Sequence, residues 1–212
     1  MRSLKDKKPR AYQLRARADK QATMHRALAK AAFELHSSVG PARTTISAIA
    51  EHAGVQRLTV YRHFADQDAI FAACIAHAYE LDPPPDAQAW TSIADPEARL
   101  RAALTATYGY YRRNQRLLAN VYRDAELPAV AARLAHHAEL QLGAVAVLNM
   151  GWSAANHRML AAAIGHALDF STWRSLAQTR GLSDAEATEA MTVFVKGIVS
   201  ASAVAVRVST AG

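Results

Sequence analysis

The sequence predicts an all-α chain, with an N-terminal three-helix domain built round a helix-turn-helix and a longer C-terminal helical body. Three observations carry that expectation. In Thr44 to Phe64, TTISAIAEHAGVQRLTVYRHF, two short runs of apolar residues at three- and four-residue spacing meet at one glycine. After Asp66, further runs at helical spacing are opened by capping residues and closed by Gly or Pro. Charge is divided unevenly: residues 1–64 hold 13 Lys or Arg against four acids, a net of +9, whereas residues 65–212 hold 12 against 14, a net of −2. A basic first third on a nearly neutral body places a polyanion-binding surface near the N-terminus.

The 212 residues suffice for one or two compact domains, and an apolar share of 51% with a mean hydropathy of −0.08 fits a soluble globular protein. No uninterrupted apolar run of membrane-spanning length is present, and no apolar segment follows the basic N-terminus, so a cytoplasmic address is expected. Cys74 is the single cysteine. That excludes an intramolecular disulfide and a thiolate metal cage, and leaves Cys74 as a small buried apolar residue.

Residues 1–18 are rich in Lys and Arg with little apolar periodicity. They are expected to form a basic flexible arm that either lies along DNA or serves only as a solubilising tail. From about Asp19 to His36, the positions Met24, Leu28, Ala31, Ala32 and Leu35 make one apolar stripe, the mark of an amphipathic helix that braces the motif from behind. Gly40 and Pro41 break the following loop. Thr44 or Thr45 then caps a second helix carrying Ile46, Ile49, Ala50 and Ala53. Gly54 stops that helix, because glycine enters the left-handed region without a Cβ penalty. In the third helix Val55, Val60 and Phe64 point inward and leave Gln56, Arg57, Leu58, Thr59, Tyr61, Arg62 and His63 outward. Two short helices joined by a tight turn containing Gly form a helix-turn-helix, and in its DNA-binding version the second helix lies in the major groove.

At these residues the chain resembles the N-terminal domain of the tetracycline-repressor (TetR) family of transcriptional regulators. The resemblance runs through Thr44-Thr45-Ile46, Ile49-Ala50, Ala53-Gly54-Val55, Thr59-Val60-Tyr61 and His63-Phe64, and on to Asp66, Asp68 and Ile70, about a quarter of the chain. With the charge division and the proline-rich break near Pro83, it places a helix-turn-helix DNA-binding domain at residues 19–65 and a ligand-binding and dimerisation domain at 66–212. It also implies that Thr45 lies close to the DNA backbone, that Ser47 approaches bases, and that Thr59, Tyr61 and His63 bind phosphates. Thr44 either caps the helix or joins that phosphate contact. By their chemistry, Arg57 or Arg62 can make a bidentate contact to guanine and Gln56 can pair with adenine. Leu58 stands where the family often has Gly, Pro or Ala. It has no hydrogen bond to give, so it either packs or meets a thymine methyl.

In the body, Asp66 and Asp68 open a fourth helix carrying Ile70, Phe71, Cys74, Ile75 and Tyr79, and Pro83-Pro84-Pro85 follows its end near Leu81. Asp95-Pro96-Glu97 starts another, with Leu100, Leu104, Thr107, Tyr108 and Tyr111 on its buried face, and a separate short helix is expected near Gln115 to Arg123. A longer one follows Pro128, with Val130, Leu134, Ala138, Leu142, Val145 and Leu148 near helical spacing, and ends at Gly151. Met159, Ala163, Ala167, Phe170 and Arg174 lead to Gly181. Ser183-Asp184-Ala185-Glu186 is a capping box that opens the last helix, through about Val206. That helix carries a broad face of Ala190, Val193, Phe194, Gly197, Ile198, Ala201, Val204 and Ala205, wider than an interior stripe needs. The family resemblance adds that the last two helices pair into an intersubunit four-helix bundle, which makes the chain a homodimer.

A regulator of this kind needs an input, and cavities between bundle helices are common ligand sites. Trp90, Tyr108, Tyr111, Tyr122, Trp152, Phe170 and Trp173 are the candidate lining, and aromatics with few acids favour a largely apolar small molecule. No cofactor is expected. His136 and His137 project about 100° apart on a helix, and His77, His157 and His166 lack partners for a metal site. No motif for nucleophilic, paired-carboxylate or phosphate chemistry is present, so an enzyme is not expected. The reading that follows is a repressor released from a palindromic double-stranded DNA operator by a small ligand. The competing reading is an activator or DNA-organising protein without small-molecule input.

Overall fold

The computed structural model describes residues 10–154 and 156–209; for residues 10, 11, 13 and 202–209 it describes the backbone alone. Among the described residues there is no strand. Two compact units divide the chain between Leu81 and Asp82.

The first unit contains α1 (Arg10–Ser38), a single 3-10 turn at Pro41–Arg43, α2 (Ile46–His52), α3 (Arg57–His63) and α4 (Gln67–Leu81). Its core gathers Leu28, Ala31 and Ala32 of α1, Ile49 and Ala50 of α2, Val60 of α3, Phe64, and Ile70 and Cys74 of α4. The helix α4, placed by the sequence in a body starting at residue 66, thus packs its inner face into the core of the first unit. The start of α1 also differs from expectation. Part of the arm expected over residues 1–18 lies outside the described residues, and from Arg10 onward the chain is already helical. The reason is composition: residues 10–22 are mostly Ala, Leu, Arg, Lys and Gln, with neither Gly nor Pro. Extending an existing helix needs no new nucleus.

The second unit contains α5 (Pro96–Arg123), α6 (Pro128–Leu148), α7 (His157–Leu168), α8 (Phe170–Trp173) running on as a π-helical segment at Arg174–Thr179, and α9 (Asp184–Ser209). The Asp95 carboxylate accepts from the Ala98 amide at 2.7 Å and opens α5. That helix is continuous, so the separate helix expected at Gln115 to Arg123 is its last two turns; no proline or glycine lies between Tyr110 and Arg123 to break it. The segment from Met159 to Gly181 is broken where one helix was expected. Asp169 adopts an extended conformation, closes α7 and accepts from the Ser171 amide at 2.6 Å to open α8. The capping box at Ser183 forms as read: Glu186 accepts from the Ser183 amide at 2.8 Å, and the Glu186 amide donates to the Ser183 hydroxyl at 3.2 Å.

The core of this unit joins Leu100, Leu104, Tyr108 and Tyr111 of α5 to Leu160 and Ile164 of α7, Phe170 and Trp173 of α8, and Ala187 and Val195 of α9. Arg99 is buried against the end of α6, where its guanidinium donates to the carbonyls of Ile93, Ala94, Val147 and Met150. On α9 the inward face is Ala187, Thr188, Thr192 and Val195. Val193, Phe194, Gly197 and Ala201 of the broad apolar face are exposed, and the side chains of Val204 and Ala205 lie outside the described residues. The middle of α6 is exposed too, with Leu142 at 70%.

Candidate nucleic-acid interface

The motif is built by local hydrogen bonds. Thr45 caps α2, its hydroxyl accepting from the Ala48 amide at 3.1 Å. Thr44 has a different role: its hydroxyl donates to the Gly40 carbonyl at 2.8 Å and ties the loop to the helix start. At the other end Gly54 has φ +67°, the Val55 amide donates to Ala50 at 2.9 Å, and the Gly54 amide donates to Glu51 at 3.0 Å. This pair of bonds is a Schellman closure, and it reverses the chain within two residues so that α3 begins at Arg57. His52 shares a 2.7 Å hydrogen bond with Glu34, which fixes α2 to α1.

The third helix has one buried and one open side. Val60 is fully buried and Phe64 nearly so, and they anchor α3 to the core. Gln56, Arg57, Leu58, Tyr61 and Arg62 are exposed, Thr59 and His63 are half-buried, and Ser47 of α2 is exposed. Leu58 is 66% exposed, so its packing role within the chain falls away. Gln56 occupies the cap position of α3 without a side-chain capping bond, which leaves its amide available outward. The His63 ring lies 6.3 Å from that of His25, which also touches Phe64 at 4.8 Å. Partial burial, then the nearby His25 and Arg62, hold the His63 imidazole below its ordinary pKa. The open side therefore presents two guanidiniums, a phenol, a neutral imidazole and an amide on one short helix.

Residues 28–74 match the family model described as bacterial regulatory proteins, tetR family. Over that stretch the chain is similar to the regulatory proteins of the tetR family. Solved structures extend the likeness of fold beyond this domain. NalD, the secondary repressor of the MexAB-OprM multidrug efflux pump in Pseudomonas aeruginosa, aligns at TM-score 0.63 and 18% identity over 85% of this chain and 97% of its own. A TetR-like transcriptional regulator from Rhodococcus sp. RHA1 aligns at 0.61 and 19% over 82% and 94%. The fatty acid degradation regulator FadR from Bacillus halodurans aligns at 0.57 and 14% over 81% and 93%. Among curated proteins none matches. The family model thus covers the helix-turn-helix, and the solved structures share the fold of most of the chain.

The seven aromatics expected to line a ligand site have packing partners of their own. Tyr108 and Tyr111 donate their buried hydroxyls to the carbonyls of Ala167 and Leu168, both at 2.7 Å. Tyr122 stacks on Phe170 at 5.1 Å, and Trp173 donates to Asp184 at 2.9 Å with Arg112 over its ring. Trp90 is buried in the same core, and Trp152 donates to the Leu148 carbonyl. A cleft of about 380 Å³ opens instead between α6 and the α7–α8 bend, lined by Ala138, Gln141, Leu142, Val145, Gly165, His166, Asp169 and Ser171. None of the aromatics lines it. The signal that sequence reasoning passed over was Asp169, whose capping position makes the bend. Among the described residues no group of three or more His, Cys, Asp or Glu is placed to hold a metal ion, and no helix is long and apolar enough to cross a membrane.

Proposed function

We propose that the chain is a homodimeric cytoplasmic repressor that reads a palindromic operator with α3 and is released by a small, largely apolar ligand. The single observation that carries the DNA reading is the two-sidedness of α3, anchored by fully buried Val60 with Gln56, Arg57, Leu58, Tyr61 and Arg62 turned to solvent. Arg57 and Arg62 take guanine edges, Gln56 an adenine edge and Leu58 a thymine methyl, with Ser47 approaching the same bases from α2. Thr45, Thr59, Tyr61 and His63 hold phosphates, which sets the register without reading sequence, and Thr44 supports them by holding the loop.

The exposed apolar side chains of α9, Val193 and Phe194, with Met159 of α7, support burial against a second copy through the last two helices. Two copies present their reading helices to half-sites about 34–36 Å apart. The ligand reading is supported by the cleft beside Leu142 and Val145, which offers an apolar wall with His166, Asp169 and Ser171 at one end. A fatty acid degradation regulator and a multidrug-efflux repressor share this fold. Release requires that the ligand bind more tightly to the dimer geometry that no longer fits the operator, since equal affinity for both states shifts nothing. The test is selection of sequences from a random duplex pool, repeated with fractionated metabolites. A palindromic consensus whose retention falls with one apolar fraction is the expected result. Retention of unrelated sequences alone would replace this reading with DNA organisation.

A further inference from the structure

The buried stripe of α1 changes character part-way along the helix. At three- and four-residue spacing it runs through Leu35, Ala31 and Ala32, Leu28 and Met24, all packed against the first core. Continued toward the N-terminus, the same stripe carries Gln21, Lys20, Arg17 and Leu14, all exposed. The helix therefore overruns the core it braces by about three turns, and its inner face becomes cationic at the point where the core ends. The ion pairs on α1 are Lys30 with Glu34 and His52 with Glu34, and among the described residues none involves Arg17 or Lys20.

Position along α1 says what lies beneath that face. His25 touches Phe64 and stands beside His63 at the C-terminal end of α3. Arg17 lies eight residues before His25, about 12 Å at the helical rise. That span is about the width of the major groove, long enough to reach from the end of α3 to a flanking strand. We propose that residues 14–21 of α1 form a second DNA contact, in which a preformed helix lays Arg17 and Lys20 on the phosphate backbone of the duplex that α3 reads. The contact reads no sequence and adds affinity by counterion release. It rests on the reading of α3 as the DNA-facing helix.

The test uses the full chain and a labelled 30-base-pair duplex of random sequence, with binding measured by anisotropy between 50 and 200 mM salt. Arg17→Gln with Lys20→Gln removes two phosphate contacts, so the slope of log affinity against log salt falls by about 1.8. Over that fourfold range the wild type loses about 12-fold more affinity than the variant. Arg15→Gln with Arg26→Gln changes the charge equally on the opposite face of α1 and leaves the slope unchanged. Ala18→Pro keeps the charges but breaks the helix before Lys20, so it uncouples Arg17 alone and lowers the slope by about 0.9. Equal effects from the two charge pairs, or no effect from Arg17 and Lys20, would overturn the proposal. An unaffected Ala18→Pro would overturn its helical form. A wild-type chain that fails to bind duplex even at 50 mM would sink the α3 reading itself, a result distinct from either.

Discussion

Replacing Gly54 with alanine isolates the backbone geometry on which the motif turns. Gly54 has φ +67°, and a Cβ built there meets nothing within 4 Å, so the substitution creates no clash. Its cost is conformational, about 1–2 kcal/mol for an L-residue held in the left-handed region. Against this, alanine restricts the unfolded chain and returns about 0.4–1 kcal/mol. The net is a loss of about 1 kcal/mol, equivalent to about a fivefold change in an opening equilibrium. Hydrogen exchange read by mass spectrometry on the peptide spanning Ile49 to Phe64 should show protection falling by that factor, with exchange across α5 and α9 unchanged. Gly54→Asn should lie closer to wild type, since Asn tolerates the left-handed region, and Gly54→Val should lie further away. A neutral or stabilised Gly54→Ala would refute the assignment of the turn. A loss above about 3 kcal/mol would mean that the added methyl meets something the free chain does not show, since backbone strain alone does not reach that size.

Neighbouring positions on α3 should separate stability from DNA reading. Val60→Ala removes two buried carbons and should destabilise the first unit by about 2 kcal/mol, whereas Leu58→Ala should leave stability within about 0.5 kcal/mol and alter preference at one operator position. Denaturant titration and sequence selection read the two effects. Arg62→Ala should cost about 1–3 kcal/mol of binding and relax one base pair; equal weakening on every sequence would reassign it to phosphate. Burial, His25 and Arg62 keep His63 below its ordinary pKa, so it is mostly neutral at pH 7 in the free protein. A phosphate against the ring favours the imidazolium, so binding takes up a proton and affinity rises as pH falls from 8 toward 6. His63→Gln should remove that increment, and an unchanged pH profile would exclude the contact. Burial pushes the Cys74 thiol up to about 12, with its sulfur 3.2 Å from His36 Nδ1. A thiol reagent at pH 8 should therefore label it only after unfolding, and rapid labelling of native protein would contradict the packing of α4 on α1.

The parts of this protein that the sequence determined by itself are those decided within about five residues. Thr45 bonds three residues ahead, Gly54 closes a turn between Ala50 and Val55, and Asp95 and the Ser183–Glu186 pair each open a helix from inside its first turn. These devices act through the backbone nearby, so the helix-turn-helix and its outward residues could be read in order. Tertiary structure decided what depends on distant partners. Tyr108 and Tyr111 are held by carbonyls 59 and 57 residues away, partners that no local pattern announces. Arg99 gave no local sign of binding the end of α6, 48 and 51 residues further on. The basic stripe at Arg17 and Lys20 belongs with these, because a helix face changes from buried to open only where the opposing elements end. Spacing along one helix fixes which residues share a face; only the packing of other elements fixes what that face meets.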